Sequence, residues 1–211
     1  MPSLVAAPSF GISQSTNSST TTLSEPTHVL LLLDTQECVL SPDEKLGGIP
    51  KAHFTRDNIK LILETARKAQ PPPLIVHIRN TGDIGDPDDP NAPGWELIFS
   101  PLPGELVIDK RKNNAFAGTK LGDHIPTDAY LIVVGFQTDF SIRATCSAAL
   151  GRGNEVLLVR GAHKTLPRIE VLHGGGITPA EEVEFEIEEE LTEAGVHILE
   201  MDDVEHIFDS R

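Results

Sequence analysis

Val29-Leu30-Leu31-Leu32-Leu33-Asp34 is the stretch that decides the fold class. Five apolar residues without alternation do not suit a strand with one wet face. They suit a strand covered on both sides, as in a parallel sheet. Working outward, the same form returns in Leu74-Ile75-Val76-His77-Ile78, Leu131-Ile132-Val133-Val134 and Val156-Leu157-Leu158-Val159, with Val196-His197-Ile198-Leu199 as a weaker fifth. Helical spacing fills the intervals. Residues 55–69 place Ile59, Ile62, Leu63 and Ala66 on one face. Residues 139–150 form a short alanine-containing stretch, and residues 179–194 carry Val183, Ile187, Leu191 and Ala194 on one side with glutamates around the rest. This alternation predicts an α/β domain with a mostly parallel central sheet, flanking helices and right-handed crossovers.

Composition narrows the function classes. The 211 residues fit one large domain, read here as residues 28–211, preceded by a Ser-, Thr- and Pro-rich arm over residues 1–27. Hydrophobic residues make up 39% of the chain, enough for a sizeable core, which excludes global disorder. With 17 Lys+Arg against 32 Asp+Glu, the net charge of −15 argues against a nucleic-acid partner, because phosphate contacts need clustered cations. The first basic residue is Lys45, so a secretory or transit leader is not expected. No apolar run approaches the roughly 20 residues of a membrane span. A soluble, cytoplasmic protein with no membrane partner is the expectation.

Two cysteines, Cys38 and Cys146, are too few for a disulfide framework and point to a reducing compartment. The histidines are scattered without ligand spacing, so no metal is expected; His163 and His173 are the two to test. Neither Gly174-Gly175-Gly176 nor Gly151-Arg152-Gly153 has a phosphate-loop signature, and no cofactor is expected.

Residues 83–103 and 161–178 read as long irregular stretches that follow predicted strands. Both therefore belong at the carboxyl edge of the sheet, where ligands of open α/β folds bind. Three features lie near such edges. Asp34 ends the first strand, Lys110 follows Leu106-Val107-Ile108, and Gly135-Phe136-Gln137-Thr138-Asp139-Phe140-Ser141 carries a strand into a helix. Singly, each has an ordinary reading as a turn residue, a solvated lysine cluster or a helix cap.

In this order, however, they resemble the isochorismatase-like (cysteine hydrolase) superfamily. Leu30-Leu31-Leu32-Leu33-Asp34-Thr35-Gln36 is similar to its first-strand Asp-x-Gln motif. Val107-Ile108-Asp109-Lys110-Arg111-Lys112-Asn113-Asn114-Ala115-Phe116 is similar to its lysine motif, and Val134 through Asp139 with Thr145 and Ala149 to its strand–Gly–x–x–Thr turn. The resemblance runs from about His28 to Val196. It implies a Rossmann-like three-layer fold, a small-molecule substrate and a homo-oligomer. It also implies that Ser141 stands where the amidase branches have their nucleophilic cysteine. Cys146 lies five residues further on, about 1.4 helical turns, and faces elsewhere; Cys38 matches no nucleophile position.

The resemblance then implies cleavage of a vinyl ether, isochorismate to a dihydroxy-dihydrobenzoate plus pyruvate. Asp34 is the general acid, desolvated enough to carry a proton, and Lys110 holds the substrate carboxylate. The expected substrate-binding residues are Gln36, Trp95 as an apolar wall, Phe136, Gln137 and His163. Two alternatives stay open. One makes Ser141 the nucleophile of an amide or ester hydrolase with Asp34 as base; the other is a non-catalytic member that binds a small molecule or partner.

Overall fold

The computed structural model describes residues 28–40, 49, 52–171 and 174–208. The arm read at residues 1–27, and His173, lie outside the described residues. Strands β1 (His28–Leu33), β2 (Leu74–Asn80), β3 (Leu106–Lys110), β4 (Tyr130–Phe136), β5 (Glu155–Lys164) and β8 (His197–Leu199) form one six-stranded sheet. Its order is β3-β2-β1-β4-β5-β8, and every pairing is parallel.

The predicted two-sided burial is observed. Val29 through Leu33 are all wholly buried. Because side chains alternate across a strand, Val29, Leu31 and Leu33 enter one apolar layer and Leu30 and Leu32 the other. Helix α2 (Ala52–Lys68) covers the second layer through Ile59, Ile62, Leu63 and Ala66. On the first layer lie α4 (Arg143–Arg152), through Cys146 and Ala149, and α5 (Ala180–Ala194), through Val183, Ile187 and Leu191. Short helices α1 (Glu37–Leu40) and α3 (Leu121–His124) complete the connections. Among the described residues no helix is long and apolar enough to cross a membrane.

Strand order runs outward in both directions from β1 and β4, which makes the crevice at their carboxyl ends the switch point of the sheet. At that edge Leu33 pairs with Gly135. The approach of the two backbones admits only glycine there. Gly135 has φ +123°, and a Cβ on it would sit 2.0 Å from the Leu33 carbonyl oxygen.

Two expectations need correction. Leu106-Val107-Ile108 read only as an apolar stretch, yet it is an edge strand, whose Val107 is 43% exposed. The stretch at 161–178 is less irregular than expected. Strand β5 continues to Lys164 past a register shift that brings His163 beside Gly135. Beyond it β6 (Arg168–Glu170) and β7 (Gly176–Thr178) pair as an antiparallel hairpin.

Candidate active site

The carboxyl ends of β1, β2, β3 and β4 deliver one polar side chain each to the crevice. Asp34 follows β1 in a left-handed conformation, φ 54°, with its N–H donated to the Ile78 carbonyl at 2.8 Å. Asn80 and Lys110 are register partners at the ends of β2 and β3. Ser141 sits on a wide turn, Thr138–Ile142, between β4 and α4. Residues far apart in the chain thus meet because their strands end together.

Their geometry is close. The Ser141 Oγ donates to Asp34 Oδ2 at 2.6 Å. Lys110 Nζ lies 2.8 Å from the same carboxylate oxygen, donates to Ser141 Oγ at 3.0 Å and donates to Asn80 Oδ1 at 3.1 Å. Asp34 is 7% exposed and Lys110 2%. Burial pushes the Asp34 carboxyl above its ordinary range; the Lys110 ammonium and the Ser141 hydroxyl oppose that shift without cancelling it. Asp34 Oδ1 is buried with no hydrogen-bond partner among the described residues. Such an oxygen is costly in a finished core and suited to a group that receives a ligand.

A cavity of about 260 Å³ opens on this constellation, lined among others by Asp34, Asn80, Asp88, Phe136, Gln137, Phe140 and Ser141. Phe136 and Gln137, expected as substrate-binding residues, are among the residues that line it. Gln36 also borders it, but its amide is engaged with backbone. Nε2 donates to the Asn80 and Trp95 carbonyls, each at 3.1 Å, and Oε1 accepts the Asn80 N–H at 2.8 Å. Gln36 therefore fastens the loop after β2 to the end of β1. Trp95 is not among the lining residues; the Arg79 guanidinium stacks on its ring at 3.3 Å. His163 is likewise set back from the cavity. Its Nδ1 shares a hydrogen bond with Thr138 Oγ1 at 3.0 Å, and its Nε2 lies 3.2 Å from Glu188, an ion-pair distance. It braces the turn that holds Ser141. Thr145 does similar work from the other side, accepting the Ala115 N–H at 3.0 Å and tying the loop after β3 to α4.

Asn80 and Asp88 did not figure among the predicted site residues. A polar residue closing the apolar strand 74–78 is the one signal that points to Asn80. Asp88 lies in an acidic loop with nothing to single it out.

Neither cysteine has the surroundings of a nucleophile. Burial, with the charges of Asp88 and Asp34 adding to it, pushes the Cys38 thiol up to about 12. Burial alone pushes Cys146 up to about 12.

An apolar first strand ending in Asp, a lysine at the end of β3 and a hydroxyl on the turn after β4 are thus one site. A model of the isochorismatase domain matches residues 28–172, most of the chain. The chain belongs to the isochorismatase family. It is 38% identical to a streptothricin hydrolase of Streptomyces noursei over 146 residues. That match takes in 66% of this chain and 55% of the relative, so the chain spans little more than half of the relative's length. Among solved structures it is similar to an isochorismatase of Pseudomonas putida KT2440, with 28% identity, 85% and 91% of the two chains covered and a TM-score of 0.74. It is also similar to the pyrazinamidase of Pyrococcus horikoshii in complex with zinc, with 25% identity, 83% and 99% covered and a TM-score of 0.62. In this isochorismatase-family chain no group of three His, Cys, Asp or Glu side chains able to hold a metal ion occurs among the described residues.

Proposed function

We propose that this protein hydrolyses a small amide or ester through an acyl-serine, with Ser141 as nucleophile and Asp34 as general base. The hydrogen bond from Ser141 Oγ to Asp34 Oδ2, 2.6 Å long with Lys110 Nζ 3.0 Å behind the hydroxyl, carries this reading. Two of the relatives support this reading, one by name a pyrazinamidase and so an amidase, the other a streptothricin hydrolase, while the Pseudomonas putida structure carries the name of an isochorismatase.

In the first half-reaction Oγ attacks the carbonyl carbon as Asp34 takes its proton. The tetrahedral intermediate collapses, the carbon–nitrogen or carbon–oxygen bond breaks, and Asp34 returns the proton to the leaving group. Water then attacks the acyl-serine, giving its proton to Asp34; the acid leaves, and the proton restores the Ser141 hydroxyl. Each role follows from a contact. Burial makes Asp34 a stronger base than a solvated carboxylate. Lys110 stabilises the negative charge that passes between Asp34 and Oγ. A serine hydroxyl is harder to activate than a thiol, which is why the two flanking charges matter.

Intact-mass analysis during turnover of 4-nitrophenyl acetate tests this. An acetyl group on Ser141, absent from Ser141→Ala together with a rate loss of roughly 10²–10⁴-fold, is expected. Turnover that persists in Ser141→Ala with no acyl-enzyme rules the reading out.

One observation favours a second reading. The unpartnered Asp34 Oδ1, on a carboxyl whose affinity for protons is raised, is placed to donate a proton to a vinyl ether. Pyruvate release from isochorismate that survives Ser141→Ala and vanishes in Asp34→Asn would establish it.

A further inference from the structure

Among the described residues, the charged side chains that line the cavity are two carboxylates, Asp34 and Asp88. Their situations differ. Asp34 is offset by Lys110, 2.8 Å away within the wall. For Asp88 no Lys or Arg among the described residues lies at ion-pair distance.

Asp88 is nevertheless held in place. Asn80 Nδ2 donates to Asp88 Oδ2 at 2.5 Å, while Asn80 Oδ1 accepts from Lys110 at 3.1 Å. Lys110 can only donate and a carboxylate can only accept, so these two partners fix which way the Asn80 amide points. On the other side, Asp88 Oδ1 lies against Gly82, where an added Cβ would stand 2.1 Å from it. The path from Ser141 Oγ through Lys110 and the Asn80 amide to Asp88 has three hydrogen bonds, of 3.0, 3.1 and 2.5 Å. With the width of the amide added, the reacting oxygen and the Asp88 carboxylate are at most about 11 Å apart. Val39, Phe136 and Phe140 supply apolar lining in the same cavity.

We propose that Asp88 is a specificity residue that selects substrates carrying an ammonium group on a short apolar chain beyond the hydrolysable carbonyl. This rests on the reading of Ser141, Asp34 and Lys110 as the hydrolytic centre. An ammonium reaching Asp88 makes a charge-assisted hydrogen bond in a half-enclosed site and neutralises the uncompensated carboxylate. A neutral chain of equal length gains only the apolar contacts. A chain ending in a carboxylate is repelled by Asp88.

The test uses 5-aminopentanamide against its neutral isostere hexanamide, with 3-aminopropanamide and butanamide as the shorter pair. Binding to the full chain carrying Ser141→Ala is measured by calorimetry, and turnover by the wild type as ammonia release. A preference of roughly 10-fold or more for the ammonium member of a pair is expected, in Kd and in kcat/KM. Asp88→Asn brings that ratio to about 1. Gly82→Ala is the second variant: its new methyl displaces the far end of Asp88 rather than backbone, so it too collapses the ratio while thermal unfolding stays cooperative. Equal affinity for charged and neutral members overturns the proposal, as does a preference unchanged in both variants. A charge preference in binding with no ammonia released instead overturns the hydrolytic reading and leaves the selectivity standing.

Discussion

Lys110 Nζ and Asp34 Oδ2 form an ion pair at 2.8 Å that is almost wholly closed to solvent. Burial disfavours the charged carboxylate and the ammonium partly restores it, with the carboxyl still above its ordinary value of 3.8. As a general base Asp34 must be ionised, so kcat/KM rises with pH through that raised value. The acid limb of the profile therefore lies above 3.8. Lys110→Met removes the influence that lowers the Asp34 pKa, which shifts the limb further upward and lowers the plateau. A pH profile of both proteins checks this. For the vinyl-ether reading the sign reverses: a proton donor is active below its pKa and fails as pH rises through it.

Glu105 provides a stability counterpart remote from the cavity. Burial alone would raise its pKa, but Arg67 at 2.7 Å, the Leu102 N–H at 2.9 Å and His77 at 2.9 Å together hold it at about 2. Its folded pKa lies below the unfolded value, so the stabilisation is fully present above the usual 4.5 and is lost as pH falls from there towards 2. Glu105→Gln is expected to cost roughly 1–3 kcal/mol at neutral pH and to flatten this acid limb. Denaturant titrations at neutral pH and near pH 3 measure both effects.

His163 touches the turn that carries Ser141 through Thr138, at 3.0 Å. His163→Ala is expected to lower kcat about tenfold with KM little changed, because the turn loosens while the cavity lining stays. The substitution also leaves Glu188 with Arg160 alone, 2.7 Å away, and a void in a buried region. Steady-state kinetics together with a thermal melt separate the two consequences.

Gly135→Ala tests the close backbone approach between Gly135 and Leu33. The added Cβ meets the Leu33 carbonyl, a backbone atom that cannot swing aside, and the φ is one that L side chains rarely adopt. Destabilisation above about 3 kcal/mol is expected, read as insoluble protein or a large fall in Tm.

The legible parts of the molecule are those where one physical demand dominates. Strands buried on both faces must be apolar throughout, and Leu30–Leu33 and Ile132–Val134 announce that directly. The edge strand at Leu106–Lys110 is apolar on one side only, so its three apolar residues read as a fragment. Asp34, Lys110 and Ser141 are legible only together, through the resemblance of their motifs in this order to a known family. Singly, a polar residue that closes or follows an apolar run reads as a turn, a solvated lysine or a helix cap. Gln36, Trp95 and His163 share that region but meet other partners: backbone carbonyls, a guanidinium and a hydroxyl. Such pairings depend on how far a loop folds back, which local pattern does not encode. The extension of β5 past Val159 is hidden for the same reason, since Arg160 and Gly161 interrupt the apolar run where the register shifts.

The two cysteines have a consequence for how the protein meets oxidants. With both thiols pushed up to about 12, neither carries appreciable thiolate at neutral pH. Hydrogen peroxide and iodoacetamide attack the thiolate, and the proposed nucleophile is an alcohol that neither reagent consumes. Under the proposed acyl-serine reading, exposure to either one is therefore expected to leave turnover intact, in oxidising conditions that silence hydrolases built on a reactive sulfur.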